Sequence, residues 1–277
     1  MDLATKHADS GAPAARSPGR TLGVIPARLA SSRLPRKPLY PLLGRPLVQW
    51  VWERALGMGC LDRVVLAVDD VELAEAARAF GAEVVMTSPS HPSGTDRVAE
   101  VAGREEFAEF DVVANLQGDE PLLQEAHVAA AIELVRGAGW DSGTVATPVR
   151  SATEWRDPAA VKVVRDDRGG ALYFSRAPIP AVRDGEPDPE AFAEGPETAS
   201  FLRHVGLYTY RRDALARWVA LPEGRLEALE RLEQLRPLAA GVRIGVAVVE
   251  SAAPGVDTPE DAAFVERLLT EHTTASP

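Results

Sequence analysis

The chain holds a single cysteine, Cys60, among 277 residues. One thiol excludes an intramolecular disulfide framework and a thiolate zinc cluster. Long apolar runs are missing as well. No stretch approaches the roughly 20 uninterrupted apolar residues of a transmembrane helix, so no membrane role is expected. The N-terminus lacks the apolar core of about 7–15 residues that a secretory signal needs, which makes the cytoplasm the expected location. Neither G-x-G-x-x-G nor G-x-x-x-x-G-K-[ST] occurs, which disfavours dinucleotide dehydrogenases and P-loop NTPases. Positive charge is in deficit: the formal net charge is −11. That balance argues against a general nucleic-acid binder, whose phosphate contacts need clustered cations.

One local absence runs the other way. No Asp or Glu lies between Arg20 and Trp52, while Arg20, Arg28, Arg33, Arg36, Lys37 and Arg45 do. A basic segment in an acidic chain suggests an anion site, or a surface face whose partners lie elsewhere in the fold.

Residues 1–19 are rich in Ala, Ser, Gly and Pro and read as a disordered tail. Residues 20–277 read as one domain. Thr21–Ile25 reads as a short buried strand stopped by Pro26, Arg63–Val68 as another, and Asp111–Leu116 as a third. Between them Pro46–Met58, Val71–Phe80 and Thr95–Ala102 have helical spacing. Such alternation predicts an α/β fold, a doubly wound and mostly parallel sheet covered on both faces. From Gly143 to Tyr210 strand-like runs dominate, which suggests a smaller β-rich inserted subdomain. Asp184–Pro196 reads as a mobile loop and Arg225–Arg236 as one helix. Val242–Val249 reads as a strand and Pro259–Leu269 as the closing helix.

Four segments could carry chemistry. Pro26–Pro38 follows the first strand, at the edge where ligands bind in open α/β sheets. Its small residues allow backbone N–H groups to approach an anion, and its Arg and Lys residues suit phosphate oxygens. Asn115–Pro121 puts Asp119 beside Gly118 at another strand end, where a carboxylate can hold a divalent cation or merely close a turn. In Gly255–Asp261, Thr258, Pro259 and Asp261 look like a helix cap; Asp257 is not needed for it and is a candidate second metal carboxylate. Tyr173–Arg176, Arg203–Tyr208 and Leu232–Arg236 offer a polar set suited to a hydroxylated acid, though each residue singly reads as structural.

Together, Pro26–Leu39, His91–Val101, Asn115–Pro121, Lys162–Ile179, Arg203–Tyr210, Leu232–Arg236 and Gly255–Asp261 resemble the 3-deoxy-D-manno-octulosonate (Kdo) cytidylyltransferases. A looser likeness to CMP-sialic acid synthetases covers mainly the basic loop. The resemblance implies a nucleotidyltransferase fold of the glycosyltransferase-A type. The nucleotide part would be about 20–142 and 243–271, and the acceptor-sugar and dimerisation part about 143–242. It implies transfer of CMP from CTP to Kdo with Mg²⁺ as cofactor and pyrophosphate released, for lipopolysaccharide core synthesis, by a cytoplasmic homodimer. Arg28, Arg33 and Lys37 would hold the triphosphate; Ala27, Ser93 and Gly94 would frame the cytosine and ribose. Asp119 and Asp257 would hold Mg²⁺. Gln117, Arg176, His204, Tyr208, Glu233 and Gln234 would bind the acceptor. The catalytic set is then Arg28, Lys37, Asp119 and Asp257.

Three positions depart from the family pattern: Arg36 for Gly, Leu29 for Tyr and Pro92 for Gln. Other readings are a cytidylyltransferase for another acidic acceptor (an 8-amino Kdo analogue, a sialic acid or a phosphonate) and a non-catalytic nucleotide- or sugar-binding regulator. A sugar-nucleotide glycosyltransferase would be expected to carry D-x-D, but Gln117-Gly118-Asp119 has only the second acid.

Overall fold

The computed structural model describes residues 19–274, apart from 32 and 184. The tail expected over residues 1–19 lies outside the described residues, Gly19 excepted. In chain order the elements are β1 (Arg20–Ala27), the two-residue strands β2 (Pro41–Leu42) and β3 (Arg45–Pro46), α1 (Leu47–Leu56), β4 (Arg63–Val68), α2 (Val71–Ala79), β5 (Val84–Met86), α3 (Gly94–Gly103), β6 (Phe110–Asn115) and α4 (Glu125–Arg136). Then follow β7 (Ser142–Pro148), α5 (Ala152–Arg156), β8 (Lys162–Arg165), β9 (Ala171–Ser175), β10 (Leu202–Arg211), α6 (Arg212–Ala220), α7 (Arg225–Glu230), α8 (Leu235–Ala239), β11 (Ile244–Val248) and α9 (Pro259–Thr274).

The main sheet runs β11-β7-β10-β6-β1-β4-β5, with the β8–β9 hairpin attached to β10. β1 pairs in parallel with both β4 and β6, while β10 is antiparallel to β6 and β7. The sheet is therefore mostly parallel, as expected. β7 and β10 belong to it, so the division drawn at residues 143 and 242 parts one continuous sheet rather than two.

Alternate residues of the buried strands feed two cores. Ile25, Leu66, Val112 and Ala114 pack with α1, α2 and α4 through Val51, Trp52, Ala77 and Ile132. Leu22, Val24, Val65 and Val113 pack on the other face with α3 and α6 through Val98, Val101 and Trp218. Burial of each Val, Leu or Ile side chain among them contributes about 1.5–3 kcal/mol relative to exposure. A third cluster joins Leu34, Leu42 and Leu47 to Leu122, Val256 and Val265. That cluster seats α9 beneath the basic loop and so brings the Asp257 segment to the first strand end.

Several expectations need correction. β1 does not stop at Pro26 but runs to Ala27. The Val24 carbonyl accepts from Leu116 on the β6 side. Two residues on, the Pro26 nitrogen faces that same side, past the end of the ladder, so its missing N–H breaks no pairing. The helix expected over Arg225–Arg236 is broken at Arg231, whose φ of 52° closes α7 in the left-handed region. Glu227 and Arg236 bridge the break with a two-pronged ion pair at 2.5 and 2.7 Å. Beyond the break Leu232 and Leu235 turn into the core, while Leu226 and Leu229 stay exposed. Helices α4, α5 and α6 fill stretches not read as helical. Of the loop expected to be mobile, Asp184 lies outside the described residues; Phe192 is buried, packed on Phe201 with ring centres 5.4 Å apart, which pins residues 189–192.

Candidate functional site

The basic loop returns to the sheet at the single turn Lys37–Leu39, with Arg36 just before it at φ 56°. Glycine adopts that backbone freely, and an arginine does so at a cost of order 1 kcal/mol. Here the Arg36 guanidinium is held by both carboxylate oxygens of Glu72 at the start of α2. The departure from Gly thus keeps the left-handed backbone and adds a surface ion pair.

Lys37 then points into the cleft at the carboxyl ends of β1 and β6. Its ammonium donates to Asp119 Oδ2, and to Asp257 Oδ1 at 2.9 Å. Arg33 reaches the other Asp257 oxygen at 3.0 Å. Burial by itself would lower the Lys37 pKa, but the charge and hydrogen bonds of Asp119 and Asp257 outweigh it and raise the ammonium above the usual lysine value. Two carboxylates far apart in sequence therefore converge on one cation. Hard oxygen donors on a shared cation position fit Mg²⁺, and among the described residues no cluster of three or more acidic, His or Cys side chains forms there. Two protein carboxylates completed by phosphate oxygens and water is the usual way that ion is held.

The cleft has a volume of about 150 Å³ and is lined by Pro26, Ala27, Arg28, Ala30, Lys37, Gln117, Gly118 and Asp119. Asp119 is held in place by its own backbone, whose carbonyl accepts from Val256 N at 2.9 Å. That bond ties the end of β6 to the segment carrying Asp257. A larger hollow of about 580 Å³ lies beside Trp140, Gly170 and Arg243, where β7 and β11 begin. It contains no phosphate-binding loop, and its acid, Asp166, is engaged by the N–H groups of Arg168 and Gly170.

The start of α3 forms the next wall. Ser93 caps the helix by accepting from Asp96 N at 3.3 Å, and Gly94 lies against Pro26. Arg28 donates to the His91 carbonyl, which links the basic loop to that turn. Thr95 donates to Glu233 Oε2 at 3.1 Å. Glu233 is thereby brought beside Ser93 and Gly94; burial, with the Asp96 charge, raises its pKa against the hydrogen bonds of Thr95 and Ser93. Gln234 beside it is buried.

On β10, His204 Nε2 lies 2.9 Å from Thr144 Oγ1. Burial first, then the Arg203 charge, pushes His204 down to about 3, so the imidazole is neutral. The Thr144 hydroxyl donates to the Leu207 carbonyl at 2.7 Å. Its one proton being used there, it accepts from Nε2–H, which leaves Nδ1 of His204 as an acceptor. Tyr208 is a core residue, its ring stacked on Tyr210 and its hydroxyl buried without a protein partner among the described residues. Gln117 donates to the Gly206 carbonyl at 2.8 Å, which joins the Asp119 loop to this strand. Arg176 is tied farther out, to the Glu230 and Pro158 carbonyls at 2.8 and 3.0 Å. It connects to the cleft through the 230–233 segment.

Five residues were not read from sequence. Glu230 accepts from Ser175 Oγ at 2.6 Å and Arg176 N at 2.9 Å and so holds the Arg176 backbone. Fully buried Lys162 donates to the Arg176 carbonyl at 2.8 Å. Arg97, also fully buried, pairs with Asp69 at 2.6 Å at the end of β4. Asp69 carried one available signal, its place at a strand's carboxyl end. Burial, then the Asp119 charge, push Glu120, next to Asp119, up to about 8, against the pull of Arg203.

A cytidylyltransferase family model matches residues 22–244. The 3-deoxy-manno-octulosonate cytidylyltransferase of Syntrophotalea carbinolica is 48% identical over 247 residues, 89% of this chain and 97% of that protein. Its counterpart in Alkalilimnicola ehrlichii is 51% identical over 251 residues, covering 90% and 95% of the two chains. A solved CMP:2-keto-3-deoxy-manno-octonic acid synthetase complexed with CTP superposes with a TM-score of 0.82 at 41% identity, covering 92% of this chain and all of that one. With its fold and sequence matched along most of its length, the chain belongs to the cytidylyltransferase family, among the 3-deoxy-manno-octulosonate cytidylyltransferases.

Proposed function

We propose that the chain transfers CMP from CTP to the anomeric hydroxyl of Kdo, releasing pyrophosphate, as a step towards lipopolysaccharide. The observation that carries this reading is the convergence of Lys37, Asp119 and Asp257 at the end of the first strand, beside Arg28 and Arg33. A cation-rich loop facing two carboxylates is what a triphosphate with a divalent ion requires.

Asp119 and Asp257 would hold Mg²⁺. When bound, the ion neutralises charge on the phosphates and acidifies a coordinated hydroxyl. Lys37, Arg28 and Arg33 bind the triphosphate and stabilise charge as pyrophosphate leaves. Ala27, Ser93 and Gly94 frame the base and ribose at the junction of β1 and α3. Gln117, neutral His204, Tyr208, Glu233 and Gln234, with Arg176 farther out, orient the acceptor so that its hydroxyl meets the α-phosphorus in line. Positioning of two reactants in this way supplies much of the acceleration, with no covalent enzyme intermediate.

The finer elements of the reading are a cytoplasmic location and a homodimer. No helix is long and apolar enough to cross a membrane among the described residues. The exposed leucines Leu172, Leu226 and Leu229 are apolar surface of the kind a second copy covers; sedimentation equilibrium at several concentrations tests this, and a monomer throughout contradicts it.

Pyrophosphate release tests the reaction. Release should need CTP, Kdo and Mg²⁺ together, stop with EDTA, and fall sharply when ATP, GTP or UTP replaces CTP. Absence of release with Kdo, in protein shown to bind CTP, would overturn the acceptor assignment.

A further inference from the structure

Lys37 serves two acids that arrive from distant parts of the chain. Asp119 lies in the loop after β6, and Asp257 precedes α9. Both carboxylates reach the same ammonium, at Asp119 Oδ2 and Asp257 Oδ1. The Lys37 side chain is only 19% exposed. Without a cation between them, two partly buried carboxylates at one point repel each other, and Lys37 is the cation that occupies the point.

A divalent ion held by those same two oxygens would need the position the ammonium fills. Mg²⁺ sits about 2.0–2.1 Å from its oxygen ligands, which leaves no room for a second cation in the same notch. The two cations also repel. One must leave for the other to enter.

We propose that Lys37 is a built-in counter-cation, displaced from Asp119 and Asp257 when the divalent ion binds and handed to the triphosphate. This rests on the reading of Asp119 and Asp257 as metal carboxylates. The lysine stem is flexible, and its charge is a point charge that can change partners without bidentate geometry. Lys37 lines the same cleft as Arg28, Ala30 and Gly118, so a triphosphate bound in that cleft would lie within the reach of a rotated side chain.

The arrangement couples the two ligands. Metal alone must break two ion pairs and leave the ammonium without an acid. With triphosphate present, the released ammonium regains anionic partners. Linkage then requires nucleotide and metal each to tighten the other by the same factor. A lysine-free notch removes the competitor and with it the penalty on metal alone.

The chain offers a clean readout, since it has only three lysines, Lys6, Lys37 and Lys162. Mn²⁺ binding to the full chain without nucleotide, followed by loss of the free-ion paramagnetic resonance signal, should be roughly tenfold tighter or more in Lys37→Met than in wild type. Lys37→Gln serves as a second variant, with melting curves showing that each is folded. In wild type labelled with [ε-¹³C]lysine, added Mg²⁺ should shift the Lys37 Cε resonance and leave that of buried Lys162 in place. Equal or weaker Mn²⁺ binding in both variants, or an unmoved Lys37 resonance at saturating Mg²⁺, overturns the displacement. If Asp119→Asn leaves Mn²⁺ binding unchanged in wild type and in Lys37→Met, the metal reading of the aspartates itself fails, and the displacement with it. Failure of the displacement alone leaves Asp119-dependent binding intact.

Discussion

A Cβ built on Gly118 would lie 2.9 Å from the carbonyl oxygen of Pro26. The turn that carries Asp119 thus runs directly against the end of β1, at a separation only glycine permits. Gly118→Ala should push the Gln117–Asp119 turn away from β1 while leaving both cores intact. We expect kcat to fall by roughly tenfold or more, since displacements of about 1 Å in a reacting array have effects of that size. Steady-state kinetics beside a melting curve checks this; unchanged kcat contradicts the close-packing argument.

Asp119→Ala should nearly abolish turnover and leave the fold intact. Asp119 is partly exposed at the end of β6, and no core side chain depends on it. Substantial residual Mg²⁺-dependent activity would remove it from the catalytic set.

Lys37→Ala should be felt mainly in the use of CTP. The loss is expected in kcat/KM for the nucleotide, with the KM for Kdo little changed. A change confined to the Kdo KM would mean that Lys37 does not serve the phosphates.

Glu233→Gln should raise the KM for Kdo by roughly tenfold and leave CTP binding within about a factor of two, by loss of one charged hydrogen-bonding group. Isothermal titration with CTP separates the two effects. Weakened CTP binding of similar size would move Glu233 to the nucleotide side, which its contact with Thr95 also borders.

Stability should carry an acid signature from Glu100. Its burial is outweighed by hydrogen bonds from Ser88 N, Arg104 and His91, which bring the carboxyl from 4.5 to about 2. A depressed pKa stabilises the fold fully above pH 4.5, and that contribution is lost as pH falls from 4.5 towards 2. Glu100→Gln should therefore cost roughly 1–3 kcal/mol at pH 7, with the gap to wild type closing between pH 4.5 and 2. Denaturant unfolding across that range measures it; a gap that stays constant with pH contradicts the linkage.

Much of the nucleotide half is legible in the sequence because it depends on local pattern. The apolar run Arg63–Val68 is β4 with the same bounds, and the sheet's alternation with amphipathic helices gives the parallel order. The basic loop and Asp119 stand out because each follows a strand end. The acceptor side is less legible. The break at Arg231 lies within good helix formers and is set by the Glu227–Arg236 pair and the buried Leu232, contacts that sequence spacing does not show. Helix α4 lacks a side-chain cap at Gln124, so no start signal marks its apolar face. The joining of Asp257 to Asp119 across the chain is a tertiary fact, produced by the packing of Val256 and Val265 under the basic loop.

The most direct measurement offers the enzyme a choice of acceptors. Wild-type protein would receive CTP, Mg²⁺ and equimolar Kdo, 8-amino Kdo analogue and N-acetylneuraminate, and its products would be identified by mass spectrometry. The account predicts that CMP-Kdo dominates from the first turnovers and that Asp119→Ala forms none. A different CMP ester as the main product, with no CMP-Kdo, would contradict it.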